Sequence, residues 1–284
     1  MIGPMSYKNF LLGCALFVIS FLGGTLAWFP YTRLVNGWVA ENLREKAGIE
    51  VSCTKAAYQF PLTWTVRGLL LSSKSRPELR QALSSAELTP RFSTFLGNPS
   101  AKVRLKFAEG TLESEISSRH FKTKADGIHL EKTFLAAALN PLQVSGTLRG
   151  EGEVTISDGK DNLDGEFKGT IRSVKVKHFR LSGLEFPELD LASLTGRILL
   201  TGSTLQFEEI KGKPGNLSLS GSGTLLLKRP FFSSRPNLTL KARFTPQFEE
   251  KIGGGAGLLK PLQDASGNIT IRLGGTLGSP AWSF

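Results

Sequence analysis

Apolar residues fall at every second position through most of the chain. Val103, Leu105 and Phe107 alternate with Arg104 and Lys106, and Leu112 and Ile116 face away from Thr111, Glu113 and Glu115. Such alternation predicts half-buried strands. The intervening Glu109-Gly110 predicts the turn of a hairpin. Leu148, Val154 and Ile156 form another set. Phe167 and Ile171 share one parity and Val174 and Val176 the other, which predicts a bulge near Ser173. Ile198 with Leu200, Leu205 with Phe207, and Ile269, Ile271, Leu273 and Leu277 continue the series to the carboxyl end. Helical spacing nearly vanishes beyond Ile49, and only Leu130–Pro141 reads as a second short helix. One-sided alternation over about a dozen strands predicts a mainly β protein, an antiparallel meander with one apolar face. That face can pack on a second sheet, close into a barrel, or curl into a trough, and periodicity does not choose among these.

The stretch from Asn216 to Pro230 departs from simple alternation. Leu217, Leu219, Leu225 and Leu227 share a parity, and Gly221 and Gly223 fall on that same parity. Glycine there lets a sheet bend or lets another backbone lie close. Gly221 and Gly223 are therefore candidate sheet-bend positions. Leu217, Leu219, Leu225 and Leu227, with Leu238 and Leu240 of the next strand, are candidates to face either a core or a lipid. Arg229-Pro230 should stop the strand, since proline donates nothing to a ladder.

The amino-terminal pattern is different. Asn9 to Thr32 carries no charge and is long enough to cross a bilayer, with Trp28 and Tyr31 at one end. Residues 9–31 are read as an uncleaved transmembrane helix behind a short cytoplasmic tail, residues 1–8. A cleaved signal is the alternative, with Thr25-Leu26-Ala27 resembling a cleavage site. A lipoprotein signal at Cys14 is rejected because the apolar run continues beyond it. From Thr32 to Gly48, Leu34, Val35, Trp38, Val39 and Leu43 recur at helical spacing. Thr32 is the candidate N-cap and Gly48 the stop. This amphipathic helix reads as a plug at the end of a sheet or, less favoured, as a helix lying on the membrane surface. Residues 49–284 form the β domain. Flanking charge does not decide orientation, and the short tail before a large domain places the amino terminus inside.

Charge and chemistry change this picture little. The 284 residues carry a net charge of +11, with the Lys and Arg spread along the chain. No basic stripe, helix-turn-helix pattern or RNA-binding signature appears, which argues against nucleic acid. Cys14 and Cys53 fall on opposite sides of a membrane boundary, so they should not pair. His120, His129 and His178 have no metal-ligand spacing, and no nucleophile elbow or phosphate loop is present. Asn216, Asn237 and Asn268 begin sequons, yet each also starts a strand, where Asn serves as a turn residue. No catalytic, metal or cofactor residue is assigned, and an enzyme is not expected.

The order of motifs resembles the protein N family of type II secretion systems, in its deltaproteobacterial form. Phe29-Pro30-Tyr31 follows the apolar segment, and Gly48-Ile49-Glu50-Val51 follows the helix. "SGTLRGEGEVTI", "LSLSGSGTLLLKRP", "SRPNLTLKARFTP" and the terminal "IRLGGTLGSPAW" match that family's later strands. The resemblance covers nearly the whole chain and is strongest from Asp190 to Pro280. It implies a single-pass inner-membrane protein with its bulk in the periplasm, acting by contact with other secretion components. That family in turn resembles the AsmA-like proteins, which implies an elongated, curved sheet with an apolar trough. Phospholipid binding or transfer is then the rival function.

Overall fold

A computed structural model describes residues 30–283, apart from 48, 60–61, 74–77, 92–98, 139–141, 158–162, 182–183, 229–232, 253–255 and 278. The predicted span at 9–31 lies almost wholly outside the described residues, as do Cys14, Gly48 and Arg229-Pro230. Among the described residues no helix is long and apolar enough to cross a membrane.

The alternating segments join into one long, open antiparallel sheet. Its strands are β1 (Ile49–Ser52), β2 (Lys55–Gln59), β3 (Thr63–Ser73), β4 (Arg80–Pro90), β5 (Ser100–Phe107), β6 (Gly110–Ser117) and β7 (His120–His129). They continue with β8 (Gln143–Ile156), β9 (Leu163–Lys177), β12 (Leu189–Thr201), β13 (Thr204–Pro214), β14 (Leu217–Leu226), β15 (Arg235–Phe244), β16 (Ile269–Thr276) and β17 (Ser279–Ser283). Neighbours in sequence are neighbours in space, except that β3 takes both β1 and β2 along one side. The two-residue strands β10 (Arg180–Leu181) and β11 (Leu184–Glu185) pair with each other only.

A helix precedes the sheet. Tyr31–Leu34 and Ala40–Ala47 are joined through a π-helical turn, Val35–Val39. It lies along the edge made by β1 and β2. Thr32, predicted as the N-cap, does other work. Its hydroxyl accepts from Ala56 N at 2.9 Å. One turn on, Asn36 accepts from Cys53 N at 2.7 Å and donates to Cys53 O at 3.0 Å. These side chains satisfy backbone groups that an edge strand otherwise leaves open. Cys53, buried beneath the helix, is a free thiol whose pKa burial pushes up.

The predicted hairpin and bulge are both present, with one change at the hairpin. The central turn residues are Ala108 and Glu109, with φ of 49° and 63°, and Phe107 pairs with Gly110. Glycine at 110 answers a different need, because a Cβ there would sit 2.5 Å from Gly127 C and Ile128 N. Ser173 has φ of 53°, and β12 skips Ala192 opposite it. The paired irregularities turn Val174 and Leu191 onto the same face as Ile171 and Leu194. Leu130–Lys132 is a 3-10 turn and Phe134–Ala138 a single helical turn, within the segment expected to be helical.

Two further helices escaped the periodicity, Pro246–Ile252 and Ala256–Leu259. Together with residues around Phe186 they cover one end of the apolar face. The resulting core holds Val174, Leu189, Leu191, Leu217, Ala242, Phe244, Phe248, Leu259 and Ile269. Phe179, Phe186, Phe244 and Phe248 meet in sequence, with successive ring centroids 5.6, 5.9 and 5.2 Å apart, the first pair tilted and the other two stacked.

Candidate functional site: an uncovered apolar face

Strand register places the side chains of this sheet in transverse rows that separate largely by chemistry; Ser114 and Thr123, hydrogen-bonded to each other at 3.1 Å, are polar residues on the apolar face. Partner residues share a face, so a row can be followed from strand to strand. One begins Ala56, Val66, Ala86, Leu105, Leu112, Ala125. It continues Gly150, Gly169, Gly196, Ile210, Gly221, Leu240, Ile271. No polar side chain interrupts it from β2 to β16. To one side run Leu148, Ile171 and Leu194, and to the other Phe167, Ile198 and Phe207.

Glycine at three successive strands makes the floor of this face bare backbone. Over Gly150, Gly169 and Gly196 lies a cleft of about 350 Å³, walled by Leu148, Ile171, Leu194, Phe167, Ile198 and Phe207. Gly169 and Gly196 do not answer a packing need: a Cβ on either would meet nothing nearer than 3.5 Å and 3.7 Å. A second cleft of about 330 Å³ lies toward the first strands, where Leu79 and Leu83 form the base and Ile49 and Phe134 the rim. Phe134 is held there by its backbone N–H, which donates to Gln81 Oε1 at 3.0 Å.

The opposite face is charged and internally paired. One row there reads Glu87, Arg104, Glu113, Lys124, Glu151, Lys168. Arg104 Nε donates to Glu113 Oε1 at 2.8 Å and Lys102 bridges Glu113 Oε2 at 3.0 Å. These two cations hold the Glu113 carboxyl below its usual range. Glu166 is lowered likewise by Lys168 and Arg197, and Glu188 by Lys175 and Lys177. At the hairpin tip, Glu109 is lowered by Lys132. A one-residue slip would exchange the two faces, so the pairs and the apolar rows specify the same register.

The leucines singled out in the sequence divide between two environments. Leu217 belongs to the covered core, and Leu219 packs against it. Leu225 is buried farther along β14, and Leu238 and Leu240 are half-buried on β15. Leu227 follows the end of β14, its N–H donating to Ser203 O at 2.8 Å. Gly221 and Gly223 face β15 at short range. A Cβ on Gly221 would lie 2.5 Å from Leu240 Cδ2 and 2.7 Å from Thr239 O. One on Gly223, where φ is +151°, would lie 2.2 Å from Asn237 O. The open cleft residues on β8, β9, β12 and β13 were not singled out. Their signal was the register of Gly150, Gly169 and Gly196, visible only once the strands are paired.

Among the described residues no group of His, Cys, Asp and Glu could hold a metal ion. No protein-family model matches the chain, no curated protein is similar to it, and no solved structure matches it.

Proposed function

We propose that this protein is a membrane-anchored carrier of acyl chains, holding them along the uncovered apolar face of its sheet. The carrying observation is the unbroken apolar row from Ala56 to Ile271, which no described residue covers over Gly150, Gly169 and Gly196. An unpaired apolar surface of this extent is costly in water. An acyl chain laid along it contributes about 0.8 kcal/mol per buried methylene. Strands spaced about 4.8 Å apart give the row a length many times the width of one lipid tail. In this reading residues 9–31 anchor the chain in the inner membrane and residues 49–284 lie in the periplasm, with the face curled into a trough of the AsmA-like kind. No enzymatic step is involved.

The test is site-directed photocrosslinking in intact cells. A photoreactive residue in place of Phe207, on the open face, should capture phospholipid. The same residue in place of Thr195, on the charged face, should not. Equal capture at both sites, or none at Phe207, would falsify the reading, and neither site reports on lipid around the anchor.

A second reading rests on the resemblance to the type II secretion protein N family and acts through the sheet's ends. The β1–β2 edge is occupied by Thr32 and Asn36. β17 ends the sheet on the other side and offers its outer backbone to a partner strand from another secretion component. A crosslinker in place of Ala281 should then recover such a component. Recovery of none, with normal secretion in a deletion strain, would exclude this role.

A further inference from the structure

The amino-terminal helix presents two surfaces, and the sheet uses only one. Thr32 and Asn36 bind the β1–β2 edge through backbone groups of Ala56 and Cys53. Leu34 and Trp38, one turn apart, point away from it and are 41% and 69% exposed. An indole that far into water is unusual for a residue that prefers a boundary between apolar and polar media. The stretch immediately before the helix, Asn9 to Phe29, is uncharged and predominantly apolar and ends at Pro30, where the helix begins. Arg33 and Arg44 are also exposed on the helix but are offset by the exposed Glu41 and Glu45, so the attraction to a lipid surface rests on Leu34 and Trp38.

We propose that the 31–47 helix is a membrane-surface docking element. Its Leu34 and Trp38 enter the headgroup–acyl boundary of the bilayer while Thr32 and Asn36 hold the first edge of the sheet. The occupant of the exposed ridge is thus the lipid surface rather than a protein, because the apolar segment ends where the ridge starts. The consequence is positional. The β1–β2 edge sits on the bilayer, and the cleft rimmed by Ile49 opens beside it. This inference rests on the membrane-anchored part of the proposed function and is independent of whether the sheet carries lipid.

The full chain, with Cys14→Ser and Cys53→Ala, is reconstituted into vesicles of phosphatidylethanolamine and phosphatidylglycerol. A spin label is placed at Trp38→Cys, at Leu34→Cys, or, as the water-facing reference, at Lys211→Cys on the charged face of the sheet. Trp38 is mostly exposed and Leu34 partly so, and neither belongs to the buried core, so their replacement should leave the fold intact. Collision with oxygen relative to a water-soluble nickel complex should be several-fold higher at positions 34 and 38 than at 211. Equal ratios at all three positions overturn the proposal, whether all are wet or all are buried in lipid. Resistance of the same vesicles to carbonate extraction reads the anchor separately. An anchored protein with wet labels refutes the docking helix alone. A protein lost on carbonate treatment refutes the anchor and, with it, this proposal. The crosslink at Phe207 is unaffected by either result.

Discussion

One apolar face meets two fates in this molecule. At the carboxyl-terminal end, helices Pro246–Ile252 and Ala256–Leu259 lie over the ends of β14–β16. There Phe248, Leu259 and Ile269 are 2%, 2% and 1% exposed. Through the middle of the sheet the same face, built from the same residue types, has no such cover among the described residues. Phe167, Ile198 and Phe207 stay only half-buried, and Ile171 and Leu194 mark the border, where they pack against the covered core. Alternation alone therefore shows which side of a strand is apolar and not what, if anything, lies against it. The covered end is a core that holds the protein together, whereas the open middle is surface kept apolar at a cost in solubility, and such surface is where function should be sought.

The largest expected effect breaks the covered end. Phe248→Ala removes a ring stacked 5.2 Å from Phe244 and closed off from solvent. Its loss should cost about 3–5 kcal/mol, read by chemical denaturation of the full chain in detergent. Phe207→Ala on the open face removes the same ring from a half-exposed wall and should cost about 1 kcal/mol. Equal costs would mean that the middle of the sheet is as well covered as its end.

The glycines sharpen the comparison at intermediate energies. Gly221→Val drives a side chain into Leu240 and the backbone of β15, and should destabilise by about 1–3 kcal/mol through overpacking. Gly196 sits in the same row but beneath the open cleft, where an added Cβ is 3.7 Å from its nearest neighbour. Gly196→Ala should therefore shift stability by less than about 1 kcal/mol in either direction. The larger Gly196→Leu should occupy the cleft and reduce lipid capture at Phe207 while the protein stays folded. Undiminished capture would show that acyl chains do not use that cleft.

How far the sequence foretold this can be seen residue by residue. The strands and the bulge at Ser173 were legible because period two and its change of parity are local properties. The helix at Pro246–Ile252 was not. Its core-facing Phe248 and Ile252 stand four apart, but Gly253-Gly254-Gly255 cuts the period short before Leu259 and Leu262 can extend it. Thr245 before Pro246 was an available start signal. The parity argument found Gly221 and Gly223 as exceptions within one strand. It did not find the row Gly150, Gly169, Gly196, because each glycine is unremarkable in its own strand. Only pairing of strands distant in sequence aligns them. Thr32 looked like a cap because it precedes a helical pattern, whereas its partner, Ala56, lies across the edge.

The smallest effect concerns pH and acts through the charged face. The Glu113 side chain is 34% exposed, and Lys102 and Arg104 lower its pKa from an ordinary 4.5. A carboxyl whose folded pKa is depressed contributes stability above its unfolded pKa and loses it as pH falls through the folded value. Stability should thus be level near neutrality and decline below about pH 4.5, modestly for each pair because exposed pairs are well screened. The open region has these cross-strand pairs and little buried packing, while the covered end has its aromatic stack. Acid should therefore loosen β5–β7 before β14–β16, as hydrogen exchange resolved by segment can show. Glu113→Gln should make that loosening less dependent on pH and leave lipid capture at Phe207 unchanged. Simultaneous opening of both regions would mean that the aromatic cover stabilises the whole sheet rather than its own end.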